Sequence, residues 1–166
     1  AQEESLARSS ALYAALTANM EMYEFHRQQK DPMYSDWVKY SPNVPVFRND
    51  EGALLAESFS VSFVTCPAVN AGVVLDRDKT RGKEISEIMA RRAARFLSIM
   101  AAHGHKHLVL GAWGCGVFRN KPDDVANMFH SLLTNEFAGV FEQVLFSIYD
   151  SKKGQPALSA FQAVFQ

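Results

Sequence analysis

Cysteine is scarce: Cys66 and Cys115 are the only two among 166 residues. Two thiols, far apart in sequence and set in apolar surroundings, are too few for a disulfide scaffold or a thiolate zinc site. They read as reduced thiols of a cytosolic protein. An excess of either charge is missing as well. Lys plus Arg number 17 and Asp plus Glu 18, a formal net charge of -1, which excludes a protein that grips nucleic acid by overall basicity, though not a local basic patch. No apolar run approaches membrane-spanning length, and the N-terminus lacks the basic-then-apolar pattern of a signal peptide. Repeats and low-complexity tracts are absent too. What remains is 48% hydrophobic and 21% charged, close to the globular average, so wholesale disorder is excluded. The expectation is a globular, cytoplasmic protein whose residues 1–166 form a single domain.

Helix formers fill Glu3 to Ala18, with Leu6, Tyr13 and Leu16 on one stripe, and a second short helix fits Met20 to Gln29. Pro42 and Pro45 bracket an extended segment. Asp50-Glu51-Gly52 reads as a turn, and Phe59, Val61 and Phe63 alternate with smaller residues as in a strand. Cys66-Pro67 and Ala68-Val69-Asn70-Ala71-Gly72 read as a small-residue loop. A long amphipathic helix is expected from about Thr80 to His103, stopped by Gly104. His107–Gly111 and Gln143–Tyr149 read as buried strands, separated by a helix that Pro122 opens, and an amphipathic helix ends the chain. Alternating strands and helices of this kind predict a three-layer α/β domain with a mixed, largely parallel sheet.

The stretch Val109 to Asn120 (VLGAWGCGVFRN) holds the strongest chemical signal. A strand ends in a loop carrying Gly111, Gly114 and Gly116, where an α/β sheet places its ligand crevice. Successive N–H groups there can form an anion-binding nest, aided by the following helix N-terminus; a tight turn that needs glycine explains the same residues. The Walker lysine is missing, and the spacing is not that of a dinucleotide fingerprint. Phe118 fits either a core or a flat surface for a ribose or adenine ring. Gln2-Glu3-Glu4 reads as ordinary capping of a helix start or as a carboxylate that serves as general acid and then base. His103, His105 and His107 alternate across a helix end and a turn, without partner ligands, so a surface turn explains them better than a metal. Arg91, Arg92 and Arg95 read as a solvated helix face or as an arginine aimed at phosphate. Asn70 either closes a turn or lines the crevice.

Four segments then become recognisable together: AQEESLARSS from Ala1 to Ser10, YSPNVPVFRND from Tyr40 to Asp50, TCPAVNAG from Thr65 to Gly72 and GAWGCGVFRN from Gly111 to Asn120. Each alone is weak, but in this order they are specific. The chain resembles the microbial-type poly(ADP-ribose) glycohydrolases, a branch of the macrodomain superfamily, over essentially its whole length. The resemblance implies a macrodomain-like α/β/α sandwich that binds ADP-ribose at the strand ends. It also implies hydrolysis of the ribose–ribose O-glycosidic bond of poly(ADP-ribose), releasing ADP-ribose. Because the polymer is a polyanion and the chain nearly neutral, a pocket for a terminal unit, and hence cleavage at chain ends, is expected. Gln2, Glu3 and Glu4 match the family's catalytic loop, with Glu4 as general acid/base and Glu3 positioning the distal ribose. Gly114, Cys115, Gly116 and Val117 match the loop that wraps the diphosphate. Phe118 matches an aromatic packed against the ligand near the scissile ribose.

The same resemblance implies a portion ahead of Gln-Glu-Glu, with strands and a Gly-Gly-Gly segment, that this sequence does not contain. The expectation is that the chain is the C-terminal part of a larger catalytic domain, its N-terminal strands supplied by another segment or a second chain. No metal or cofactor is implied, and neither DNA nor a membrane is expected as a partner. The alternatives are an ADP-ribose-binding module without catalysis, and a hydrolase that removes mono-ADP-ribose from proteins.

Overall fold

The structure is a computed structural model that describes residues 2–166; Ala1, the first residue of the first motif, lies outside them. The elements run α1 (Gln2–Ser9), α2 (Leu12–Thr17), α3 (Glu21–Gln29), β1 (Lys39–Arg48), β2 (Leu54–Thr65), α4 (Ala71–Arg77), a short 3-10 turn, α5 (Gly82–Ala102), β3 (His107–Leu110), α6 (Pro122–Thr134), β4 (Gln143–Phe146) and α7 (Pro156–Phe165). They fall into two compact units. One takes in the chain up to Lys30 together with Ser35–Pro67, and the other Asp31–Tyr34 together with Ala68–Gln166.

The first unit is built on an antiparallel β1–β2 hairpin in the register Lys39↔Thr65 to Arg48↔Leu54. Its turn is tied by Asn49 Oδ1, which accepts from Ala53 N–H at 2.8 Å. Pro42 and Pro45 lie inside β1, a strand interior that proline normally avoids. A bulge between Ser41 and Val44 absorbs the irregularity, and Asn43 there takes a left-handed backbone. The far edge of β1 is occupied by Ser10, which bridges to Val46, and by Ala11 N–H, which donates to the Pro45 carbonyl at 2.9 Å.

That attachment corrects the expectation of one helix from Glu3 to Ala18. Ser10 Oγ donates to the Leu6 carbonyl and accepts from Leu12 N–H. The hydroxyl thus competes for backbone groups the helix would have used, and the helix breaks there. The break also turns the apolar stripe. Leu12 and Leu16 pack on Val44 in the core, whereas Leu6 and Tyr13 remain exposed.

The second unit holds the parallel pair β3–β4, in register from His107↔Gln143 to Leu110↔Phe146. Helix α6 makes the crossover between the two strands, as parallel pairing requires. Helices α6 and α7 cover one face through an aromatic cluster, in which Phe146 meets Phe129, Phe161 and Phe165 at ring separations of 5.5, 4.9 and 4.6 Å. On the other face Val109 is 72% and Leu145 55% exposed, unusual for a parallel sheet, which normally buries both faces.

Helix α5 buries Ile85, Met89, Ala93, Phe96 and Leu97 at helical spacing. Its arginines do not share one solvated face: Arg91 and Arg95 are exposed, but Arg92 is only 1% exposed. Its guanidinium donates to the Met33 carbonyl at 2.8 Å. The expected loop at Ala71-Gly72 is instead the first turn of α4, capped by Asn70. No helix among the described residues is long and apolar enough to cross a membrane.

Candidate functional site

In the first unit Gln2, Glu3 and Glu4 open α1, a helix that buries none of its residues. Acidic side chains here are favoured by the positive end of the helix dipole. Glu3 Oε2 accepts from the Tyr23 hydroxyl at 2.9 Å. Burial, reinforced by that carboxylate, pushes the Tyr23 hydroxyl above its usual range, so it remains a proton donor to Glu3 at all physiological pH values. Lys39 Nζ donates to the Leu16 carbonyl at 2.6 Å and to the Asn19 carbonyl, and lies 5.4 Å from the Tyr23 ring centre. The lysine thereby closes the C-terminal end of α2, where a cation is favoured.

In the second unit the chain leaves β3 through the loop Gly111–Lys121. Successive turns shape it, with Cys115 N–H donating to Ala112, Arg119 N–H to Gly116 and Asn120 N–H to Gly114 carbonyls. Gly114 has φ +76°, and a Cβ there would lie 2.5 Å from Asn120 Nδ2 and 2.8 Å from Ala68 Cβ. Both the backbone angle and the space therefore demand glycine. Gly116 has open space around it, and Val117 is 85% exposed. Among the described residues no backbone carbonyl accepts from the N–H of Gly116, Val117 or Phe118. Three consecutive donors on a loop tip are suited to an anion.

The helix that follows contributes less than its dipole promises. Asp123 and Asp124 occupy the first turn of α6, and their carboxylates already answer the positive end. Cys115 is buried, and desolvation pushes its thiol up to about 12, so the loop's one sulfur is a packing group and no nucleophile at neutral pH.

The loop is fastened from both ends of its tip. Asn120, 6% exposed, donates through Nδ2 to the Val69 carbonyl at 2.8 Å and the Gly114 carbonyl at 3.0 Å. The Phe118 carbonyl accepts from Gly72 N–H at 2.9 Å. Arg119, in a left-handed conformation with φ +57°, pairs with Asp76 on α4. Its side chain lies directly over Gly72, where a Cβ would meet Arg119 Nε at 2.0 Å. The Phe118 ring stacks on Tyr34 at 5.7 Å and 28°. Asn70 caps α4, its Oδ1 accepting from Val73 N–H at 3.3 Å.

Sequence reasoning passed over Arg119, Asn120, Gly72, Asp76 and Tyr34. Arg119 and Asn120 stand inside the GAWGCGVFRN segment, so the loop's own continuation was the available signal. Tyr34 and Asp76 carry none, because what joins them to the loop is tertiary.

The catalytic-domain model of the microbial-type poly(ADP-ribose) glycohydrolases matches residues 1–49. A solved single-residue mutant of the poly(ADP-ribose) glycohydrolase from Deinococcus radiodurans, in complex with ADP-ribose, is 42% identical. It is matched over 100% of this chain and 68% of its own, with a TM-score of 0.94. The chain belongs to the poly(ADP-ribose) glycohydrolase family. Two structures of the glycohydrolase from Thermomonospora curvata agree. One is a single-residue mutant, 48% identical over 99% of this chain, with a TM-score of 0.94. The other is bound to the inhibitor ADP-HPD and is 49% identical over 99% of this chain, again at 0.94. The chain spans 62% of the length of these Thermomonospora glycohydrolases. Among curated proteins none matches it.

Proposed function

We propose that the chain is the larger part of a cytoplasmic poly(ADP-ribose) glycohydrolase that releases ADP-ribose from chain ends, residues 1–166 acting as one macrodomain-like domain. One observation carries this reading above the rest. The Gln2-Glu3-Glu4 segment opens α1 in a chain 42–49% identical to glycohydrolases solved with ADP-ribose and with ADP-HPD. In the reaction Glu4 protonates the oxygen that leaves the anomeric carbon, which becomes oxocarbenium-like. Glu4, now a carboxylate, takes a proton from the water that attacks that carbon, giving ADP-ribose and a shortened polymer. Glu3, held by Tyr23, orients the distal ribose. Gly114, Cys115, Gly116 and Val117 wrap the diphosphate, with the uncommitted N–H groups of Gly116, Val117 and Phe118 as its donors. The Phe118 ring lies against the ribose, and Asn70 lines the same crevice. The diphosphate's own negative charge takes over part of the role a second carboxylate plays in most glycosidases.

The portion of the family's length outside this chain is the proposed partner, as a separate segment or chain. The exposed Val109 and Leu145 on the open face of β3–β4 support it, since a parallel sheet left uncovered is unstable. Nearly balanced charge supports a terminal-unit pocket over a long electrostatic track, and no DNA, membrane or metal enters the scheme.

The test is ADP-ribose release from poly(ADP-ribose) by this chain beside Glu4→Gln. Release by the parent, reduced at least about a hundredfold in the variant, with ADP-ribose affinity retained, is the expected result. Equal turnover by both removes Glu4 from the mechanism. A second reading is an ADP-ribose-binding module without catalysis; binding without release by either protein would support it. Release from mono-ADP-ribosylated protein but not from polymer would assign the remaining alternative.

A further inference from the structure

We propose that Tyr34 is the positioning residue that fixes the Phe118 ring for the ligand. This inference rests on the reading of Phe118 given above and extends it to a residue 84 positions away that no motif marks. Tyr34 stands at the end of the short segment Asp31–Tyr34, which belongs to the same compact unit as the Phe118 loop.

That segment is held at every residue. Asp31 Oδ1 accepts from Met33 N–H at 2.9 Å, and the Asp31 carbonyl from Tyr34 N–H at 3.0 Å. The Pro32 carbonyl accepts from Asn70 N–H at 2.9 Å. The Met33 side chain is buried, and its carbonyl accepts from the guanidinium of Arg92 at 2.8 Å. Arg92 is among the most deeply buried side chains of the protein, so a charge is kept in the core to donate to this turn. A buried cation is costly unless its hydrogen bonds are made.

The result at Tyr34 is a left-handed backbone, φ +56°, a conformation that a bulky side chain adopts only when its surroundings enforce it. The enforced angle places the Tyr34 ring on Phe118, 5.7 Å between centres and 28° between planes. On the other side the Phe118 backbone is fixed by Gly72 N–H and by the Arg119–Asp76 pair on the next residue. Phe118 therefore has one ring face taken by Tyr34 and its main chain taken by α4. Its side-chain rotamer is set before any ligand arrives, and preorganisation of this kind lowers the entropy cost of binding.

The experiment compares Tyr34→Phe, Tyr34→Leu and Tyr34→Ala with the parent chain. ADP-ribose affinity is measured by calorimetry, the Phe118 ring proton shifts by NMR without ligand, and folding by circular dichroism. An aromatic pair is worth about 0.5–1.5 kcal/mol beyond its area, or roughly 2- to 13-fold. The expected result is that Tyr34→Phe binds within twofold of the parent and keeps the Phe118 shifts. Tyr34→Leu and Tyr34→Ala are expected to weaken binding by about that 2- to 13-fold and to move the shifts. Tyr34→Leu keeps apolar bulk, so it reports on the ring even where Tyr34→Ala fails to fold. Unchanged affinity in Tyr34→Leu overturns the proposal, as does a loss in Tyr34→Phe equal to that in Tyr34→Leu. Absence of ADP-ribose binding by the parent overturns the functional reading and Tyr34's role toward a ligand with it, and the ligand-free shifts then still show whether the stack itself exists.

Discussion

Asn120 ties the Gly111–Lys121 loop together, and replacing it gives the sharpest energetic test of the candidate site. Its amide donates to the carbonyls of Val69, at 2.8 Å, and Gly114, at 3.0 Å. Neither carbonyl depends on it alone, because Ala71 N–H also donates to Val69 and Asn120's own N–H to Gly114. Asn120→Ala therefore removes two hydrogen bonds without leaving a bare acceptor. At about 1 kcal/mol each the loss is about 2 kcal/mol. For a domain of this size that lowers Tm by roughly 4–8 °C. Asp76→Asn, which breaks the exposed pair with Arg119, costs at most about 1 kcal/mol and shifts Tm by less than about 4 °C.

Asn120→Asp carries the sign of the reasoning. A carboxylate oxygen would face two carbonyl oxygens, so the ionised form is repelled and its pKa rises in the folded state. The variant should be less stable than Asn120→Ala at pH 8 and recover as pH falls and the carboxyl protonates, since a raised acid pKa gives stability that is lost as pH rises. Thermal unfolding followed by circular dichroism at pH 5 and pH 8 reads all of this. A Tm for Asn120→Ala within about 2 °C of the parent, or an Asn120→Asp protein whose deficit does not change with pH, would refute the assignment of these bonds.

Two further outcomes follow from the same loop. Gly114→Ala must place a Cβ 2.8 Å from Ala68 Cβ at φ +76°, so it should cost more than about 2 kcal/mol in urea denaturation, while Gly116→Ala, with nothing within 4 Å, should stay within about 0.5 kcal/mol of the parent. The buried Cys115 thiol, pushed up to about 12 from its ordinary 9.0, should resist iodoacetamide in the folded protein at pH 8. Its raised pKa gives stability that is present below about 9 and lost between about 9 and about 12, so Cys115→Ala should flatten the alkaline limb of a Tm–pH profile.

The sequence announced those elements whose signal is local. Helix α5 shows its apolar period over 21 residues, and Pro122 and Gly104 mark a start and a stop that the structure keeps. It concealed those decided by partners far away. Nothing around Ser10 says that its hydroxyl will break a helix, because the competing attachment is to Val46 on β1. Arg92 shares the helical phase of Met89 and Phe96, but its residue type argues for solvent, and the Met33 carbonyl that receives its guanidinium is far away in sequence. The small residues from Ala68 to Gly72 imitate a loop, yet Gly72 is small because Arg119 lies over it. The Asn70 cap was the one sign of α4 that composition outweighed. At the site, the glycines and Phe118 were legible because they stand in one run, and their supports were not.

The two halves of the chemistry are also prepared to different degrees within this chain. The loop proposed to take the diphosphate is tied by Asn120, Gly72, Arg119 and Tyr34, so its N–H donors hold their positions without help. Glu4 stands exposed on α1, a helix that buries no residue. An exposed carboxyl is ionised at neutral pH and has no proton to give, whereas a general acid must be desolvated enough to retain one. On the proposed mechanism Glu4 needs a cover before it can protonate a leaving oxygen, and the substrate or the remaining part of the family's length would bring it. Binding and turnover then separate: supplying that remaining part should raise kcat far more than it tightens ADP-ribose. An unchanged kcat would mean that the polymer itself closes over Glu4.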